Sequence, residues 1–429
     1  MRKFLRGIKA LQLCRETRLF DCTNRGQQKL GMAFVFPRTN PPVLPHEALE
    51  KYRRDDAKLK ANLTVGTYWN EREKLHAFET AREARRIVHS RVHCHNYPHQ
   101  GGNEDFRRLV TEFVLGKGHP ALGRSSSFQS LGAGGALSIV GHLLSKYMAC
   151  DTIFLSSPHW PTYAKIFPLA GVTNIGHYRY LKNGAFDLDG MLEDLLALDC
   201  RSAVLLQVCC HNPTGCDPTI EDWKKIVAIV QEKKHRVILD AAYHGYVSGD
   251  PFADLEPVRI FVDAGLDVLL CQSFSKNLTM YSDRIGSLTV VASDTEALQA
   301  IEAAVFTIVY HSYVAPPRDP ALIIATILGD TQLRDLWFEE LRQASDRLQK
   351  NRRRLYDALM RELPSERWER ILHQKGLYCS VDVDLNDVQK LQERYSVYIL
   401  ANGRINLSGL NEGNISHAAR ALAGVVSEI

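Results

Sequence analysis

From about residue 151 to residue 292 the chain alternates short β-branched runs with segments of helical period, and this alternation restricts the fold more than any other feature. The runs are 152–156, 173–178, 203–209, 236–240, 268–272 and 287–292. Between most of them lie amphipathic stretches such as 219–233, where Ile220, Trp223, Ile226, Val227 and Ile229 keep helical spacing. Strands joined by crossover helices build a mostly parallel sheet covered by helices on both faces, an α/β architecture.

After Pro320 the texture changes. A long charged helix is predicted at roughly 330–362, followed by strand-like runs at 377–383 and 397–400 and a closing helix near 415–427, which reads as a separate, smaller α+β unit. The 429 residues suit two or three domains at roughly 100–200 residues each. The expected division is a leader at 1–30, an extended Pro-rich arm at 31–75 belonging partly to the small unit, a large sheet domain at 76–325 and the small domain at 326–429. Pro37, Pro41, Pro42 and Pro45 mark the arm.

Charge matters once it is divided along the chain. Residues 1–30 hold eight basic residues against Glu16 and Asp21, a balance of +6, whereas the remainder balances at −2. The formal +4 therefore describes the leader more than the body, and a general nucleic-acid footprint is excluded. On a helical wheel Phe4, Ile8 and Leu11 share a stripe opposite Arg2, Arg6 and Lys9, the pattern of a mitochondrial targeting helix that is cleaved after import. A frayed basic extension is the plain alternative. Apolar residues make up 45% with no unbroken stretch of 18, so a disordered chain and a membrane-spanning one are both excluded at this stage. Ten cysteines contain no C-x-x-C pair and read as reduced thiols.

Ligands of open parallel sheets bind beyond the carboxyl ends of the strands, and three polar clusters fall at such ends. His211-Asn212-Pro213-Thr214-Gly215 follows the 203 run, Asp240 to Tyr243 closes the 236 run, and Ser273-Phe274-Ser275-Lys276 follows the 268 run. Singly each is a competent turn or helix cap, but three at equivalent places are harder to dismiss. A lysine in a water-poor site can act as a nucleophilic amine and form a Schiff base. An aspartate on a neighbouring strand suits the pyridine nitrogen of pyridoxal phosphate, keeping it protonated. Tyr243 and Asn212 could bond the ring's phenolic oxygen, and Arg284 the phosphate.

These residues resemble the signature of the aspartate aminotransferase family, pyridoxal-phosphate enzymes of fold type I, with a match running from about Pro42 to Ile429. The resemblance implies a homodimer with shared active sites that moves an amino group between L-aspartate or L-glutamate and a 2-oxo acid. By position, Lys276 matches the Schiff-base lysine, which also shuttles the proton at the substrate α-carbon. Asp240 matches the partner of the pyridine nitrogen, and Tyr243 and Asn212 match the pair on the ring oxygen. The phosphate contacts fall on Ser273, Ser275, Arg284 and the Gly132-Ala133-Gly134 turn. Trp160 matches the stacking aromatic, Tyr97 a tyrosine reaching the neighbouring subunit's phosphate, Arg404 the α-carboxylate arginine and Gly66 the glycine beside it. Trp160 and Asn212 also face the substrate in this reading.

Three departures stand out. Gly132 and Gly134 replace hydroxyl residues, which implies weaker cofactor retention with backbone N–H groups still available. Tyr163 and Gln207 replace histidines behind the ring. Tyr310 replaces the arginine for the substrate's distal carboxylate, leaving His311 and Arg318 nearby as substitute cations and a preference for aromatic or other uncharged amino acids as the alternative. A non-catalytic relative acting as an interaction protein is a further alternative, against which Lys276, Asp240 and Arg404 all speak. The Gly132 loop lacks the third glycine of a dinucleotide fingerprint. His89, His93, Cys94, His95 and His99 cluster without an acidic or second-cysteine partner at metal spacing, so no metal site is expected.

Overall fold

The computed structural model describes residues 45–91 and 96–427. The leader, residues 31–44 of the arm, and His93, Cys94 and His95 lie outside the described residues. Pro45–Ile429 form one compact unit.

Its centre is a seven-stranded sheet of β1 (Ser125–Leu131), β2 (Thr152–Ser157), β3 (Asn174–Arg179), β4 (Ala203–Gln207), β5 (Arg236–Ala241), β6 (Val268–Ser273) and β7 (Ile285–Val291). The spatial order is β1-β7-β6-β5-β4-β2-β3. Strands β3, β2, β4, β5 and β6 run parallel, and β7 is antiparallel to both β6 and β1. Alternate side chains enter two apolar layers. Leu205, Ile238, Leu269 and Leu288 join Leu137, Val140 and Val305 of the helices Gly132–His142 and Thr295–Tyr313. Val204, Leu206, Leu239 and Leu270 join Val114, Trp223 and Phe261 of the helices covering the other face. Burial on both faces is why these strands read as continuous apolar runs.

The helix Ile220–Lys233 starts at Thr219, whose side chain accepts from Asp222 N while Asp222 bonds back to Thr219 N, a capping box worth about 1 kcal/mol. Asp330 caps the 32-residue helix Thr331–Glu362 by accepting from Leu333 N at 3.0 Å, without the return bond. That helix packs its Leu348, Leu355 and Leu359 side against the closing helix Ile415–Ser427. Two short pairings complete the site's framework. Ala61–Asn62 runs parallel to Val397–Tyr398, and Tyr378–Ser380 antiparallel to Arg404–Asn406.

Two expectations need correction. The arm is not extended throughout, because Pro45–Arg54 is helical, with proline at the one place where a helix tolerates its missing N–H. Strand β1 was not anticipated, since Ser125-Ser126-Ser127-Phe128-Gln129-Ser130 lacks the apolar pattern of a strand. It is buried all the same, with Ser127 bonded to Thr111 at 2.8 Å and to Thr289 at 2.7 Å. Among the described residues no helix is long and apolar enough to cross a membrane, and no group of three His, Cys, Asp or Glu could hold a metal ion.

Candidate active site

The three polar clusters meet at the carboxyl ends of β4, β5 and β6. Asp240, near the end of β5, is buried, and Tyr163 Oη donates to its Oδ2, while Oδ1 has no partner. Burial raises the Asp240 carboxyl to about 6, against the opposing pull of the Tyr163 hydrogen bond and the Lys276 charge. Lys276 lies in the turn after β6, and burial, with Arg284 and Arg404 adding like-charge repulsion, lowers its amine to about 8. Its Nζ sits 5.5 Å from the centre of the Tyr281 ring.

The loop after β4 is held by its own polar groups. Gln207 clamps the Asn212 backbone from both sides, accepting from Asn212 N at 2.9 Å and donating to Asn212 O at 3.1 Å. His211 is stacked on Tyr180 at 3.8 Å and bonded to Ser156 and Thr214, and burial drops it to about 3. It is therefore neutral and structural. With the loop fixed, Asn212 Oδ1 accepts from Arg404 Nη1 at 2.8 Å. Arg404 Nη2 donates to Thr64 O at 3.1 Å, and Nε is buried without a partner.

At the other end of the cluster, Ser273 Oγ accepts from Ser275 N, and Arg284 Nη1 donates to Ser275 Oγ at 3.2 Å. The helix Gly132–His142 begins beside them with no side chain capping its first turn. Gly132 has φ +69°, and a Cβ there would stand 2.6 Å from Arg284 Nη2. At Gly134 nothing lies within 4 Å of a Cβ. Glycine at 132 thus makes room for a guanidinium against the helix N-terminus, a setting suited to an anion.

Trp160 is half-buried and meets Tyr163 edge-to-face at 5.2 Å. Tyr97 and Tyr310 are not in this buried cluster, being 81% and 51% exposed, Tyr310 on the helix Thr295–Tyr313 with its ring against His311. Arg318 is engaged by Asp319 at 2.8 Å. One member of the cluster was missed by the sequence reading. Tyr378 is buried, its hydroxyl 3.1 Å from that of Tyr243, and the Arg404 guanidinium lies 4.0 Å over its ring. A Cβ on Gly66 would fall 2.0 Å from the Tyr378 hydroxyl. Tyr378 sits between Leu377 and Cys379 in a run that reads as plain core, so no local signal set it apart.

The pattern of the family described as aminotransferase class I and II matches residues 58–422. A mitochondrial aspartate aminotransferase from Schizosaccharomyces pombe is 34% identical over 391 residues, which cover 90% of this chain and 89% of that protein. Among solved structures, the cytoplasmic aspartate aminotransferase of Saccharomyces cerevisiae superposes with a TM-score of 0.88 at 29% identity, over 91% of this chain and 98% of that one. An aromatic amino acid aminotransferase from Burkholderia cenocepacia superposes with a TM-score of 0.87 at 30% identity, over 92% and 99%.

Proposed function

Because the chain belongs to the class I and II aminotransferase family, we propose that it moves amino groups between L-aspartate or L-glutamate and the 2-oxo acids 2-oxoglutarate and oxaloacetate. Its cofactor is pyridoxal phosphate, the group on which this family depends. The observation that carries the assignment is Asp240 Oδ1, a buried carboxylate oxygen with no donor. Such an atom costs about 1–3 kcal/mol or more unless a donor arrives, and a protonated pyridine nitrogen is the donor this site suits. The space at Gly134 and the guanidinium against Gly132 fit a phosphate in the same way.

When bound, pyridoxal phosphate supplies an aldehyde carbon that reacts with amines and a protonated ring that draws electrons from the substrate α-carbon. The chain's residues do the rest. Lys276, with its amine lowered to about 8, is unprotonated in roughly a tenth of molecules at pH 7 and can take and return a proton. Asp240 would supply the charge opposite a protonated ring nitrogen, its carboxyl oriented by Tyr163. Tyr243 and Asn212 would bond the ring oxygen, and Ser273, Ser275, Arg284 and the N–H groups of the Gly132 turn would hold the phosphate. Arg404, held flat by Asn212 and Thr64, keeps Nε for a substrate α-carboxylate.

One observation favours a second reading, a blunted preference for dicarboxylates. Tyr310 stands where the distal cation is expected, and the charge of Arg318 is engaged by Asp319. A charge-assisted hydrogen bond contributes about 1.5–3 kcal/mol, so its loss lowers dicarboxylate preference by ~10–100-fold. Accordingly, Tyr310→Arg should raise kcat/KM for aspartate relative to phenylalanine by that factor. A wild-type protein that already favours aspartate strongly, and does not change on mutation, has another cation in this role.

Tyr97 and Tyr310, both exposed, support a homodimer in which each serves its partner's site; its interface should exceed about 2,000 Å². Sedimentation at assay concentrations should show a dimer, and an active monomer contradicts this. The division into a large domain at 76–325 and a small one at 326–429 is part of the same proposal. The acid-poor leader supports mitochondrial import with cleavage after roughly 20–35 residues. Relatives occur in mitochondria, chloroplasts and cytoplasm, so fractionation with mass spectrometry of the native N-terminus decides it, and an intact Met1 in the cytosol rejects import.

A further inference from the structure

Tyr378 touches residues from both the ring-oxygen side and the carboxylate side of the proposed site. Its hydroxyl meets Tyr243 at 3.1 Å, its ring face carries the Arg404 guanidinium at 4.0 Å, and its Oη fills the space beside Gly66. We propose that Tyr378 is a positioning residue, its hydroxyl strengthening Tyr243 as a proton donor toward the cofactor's ring oxygen while its ring face fixes the carboxylate-binding guanidinium. The inference rests on the aminotransferase reading above.

Two hydroxyls that share one hydrogen bond have a single donor between them. If Tyr243 donated to Tyr378, it would have no proton left for the ring oxygen. The positive guanidinium over the Tyr378 face draws electron density from that phenol and makes it the better donor of the two. Tyr243 then accepts, and its own proton points elsewhere. Burial pushes the Tyr243 phenol well above its ordinary value, so that proton is retained. The same guanidinium polarises Asn212, because Arg404 Nη1 occupies Oδ1 and turns the amide Nδ2 into the free end. Both groups facing the ring oxygen are thereby set as donors by Arg404, one directly and one through Tyr378. Gly66 is required for the same reason, since any side chain there would displace the Tyr378 hydroxyl.

Tyr378→Phe and Tyr378→Leu separate the two roles. The readouts are the pH midpoint of the bound cofactor's absorbance change and the split between KM and kcat for aspartate. Without the Tyr378 hydroxyl to polarise it, Tyr243 gives the ring oxygen a weaker hydrogen bond; that oxygen is then less stable as an anion, so the chromophore holds its proton to higher pH. Phe should raise its proton affinity by ~3–10-fold with KM within about twofold of wild type, because the ring face remains. Leu should show the same spectral shift together with a ~5–30-fold rise in KM. A Phe variant with the wild-type midpoint overturns the proposal, as does one whose KM rises while the midpoint stays put. A wild-type protein that takes up no pyridoxal phosphate at all fails earlier, and overturns the aminotransferase reading together with this one.

Discussion

Replacing Lys276 by alanine should leave a folded protein whose amino-group transfer is reduced by at least ~10⁴-fold, the upper range for losing a positioned acid–base group, with covalent chemistry lost besides. Neighbouring side chains offer no substitute. Tyr243 and Tyr281 are held protonated by burial. Borohydride treatment of the native holoenzyme, followed by peptide mapping, should place the reduced cofactor adduct on Lys276; an adduct elsewhere, or an alanine variant within a hundredfold of wild type, sinks the assignment. Stability offers a second readout. The amine titrates near 8 when folded against 10.5 in the unfolded chain, so the folded state binds fewer protons between those values. The cofactor-free protein should therefore gain stability as pH rises through that window, with the full cost of burying the charge present below it. Lys276→Met, which keeps the volume, should abolish this pH dependence and stabilise the cofactor-free protein at pH 7 by up to ~3 kcal/mol.

Asp240→Ala should fold and lose ~10²–10⁴-fold in transfer rate, because breaking a buried charge pair costs about 3–5 kcal/mol and here falls on the reacting group. Cofactor affinity should fall with it. The carboxyl titrates near 6 when folded and near 3.8 unfolded, so in the cofactor-free protein the folded state binds more protons between those values. Its contribution to stability is thus present below about 4 and lost as pH rises through about 6. Tyr163→Phe removes the hydrogen bond that holds this value down, and should move the acid limb of kcat/KM to higher pH while leaving the alkaline limb in place. An Asp240→Ala protein with near-normal transfer shows that the ring is kept protonated by something else.

Much of this was legible beforehand because the chemistry sits at strand ends. Strands β2 to β7 were announced by apolar runs, and their ends carry Asn212, Asp240 and Lys276 as punctuation between run and helix. Strand β1 was illegible for a physical reason. The buried Ser127 hydroxyl is satisfied by Thr111 and Thr289, partners distant in sequence, so a serine at that place in the strand is affordable only after the fold exists. The same holds for Gln207, which looks like a lost histidine until its amide is seen holding the Asn212 backbone by both ends. Tyr378 was hidden by the opposite effect, since an aromatic in an apolar run reads as core whether or not its hydroxyl has work to do. Tyr97 and Tyr310, proposed to serve a second subunit, are singled out by resemblance alone.

The two glycines of the proposed phosphate turn leave unequal freedom to anyone redesigning the chain. At position 134 a side chain enters open space, so a hydroxyl can be added in one step without disturbing a neighbour. At position 132 the Arg284 guanidinium already fills the volume, and the backbone stands at φ +69°, where a Cβ is strained regardless. A serine there is accommodated only after the arginine has moved, and an arginine that has moved with glycine still in place leaves the anion with fewer donors than before. The route through 134 is sterically open, whereas the route through 132 requires two coupled changes.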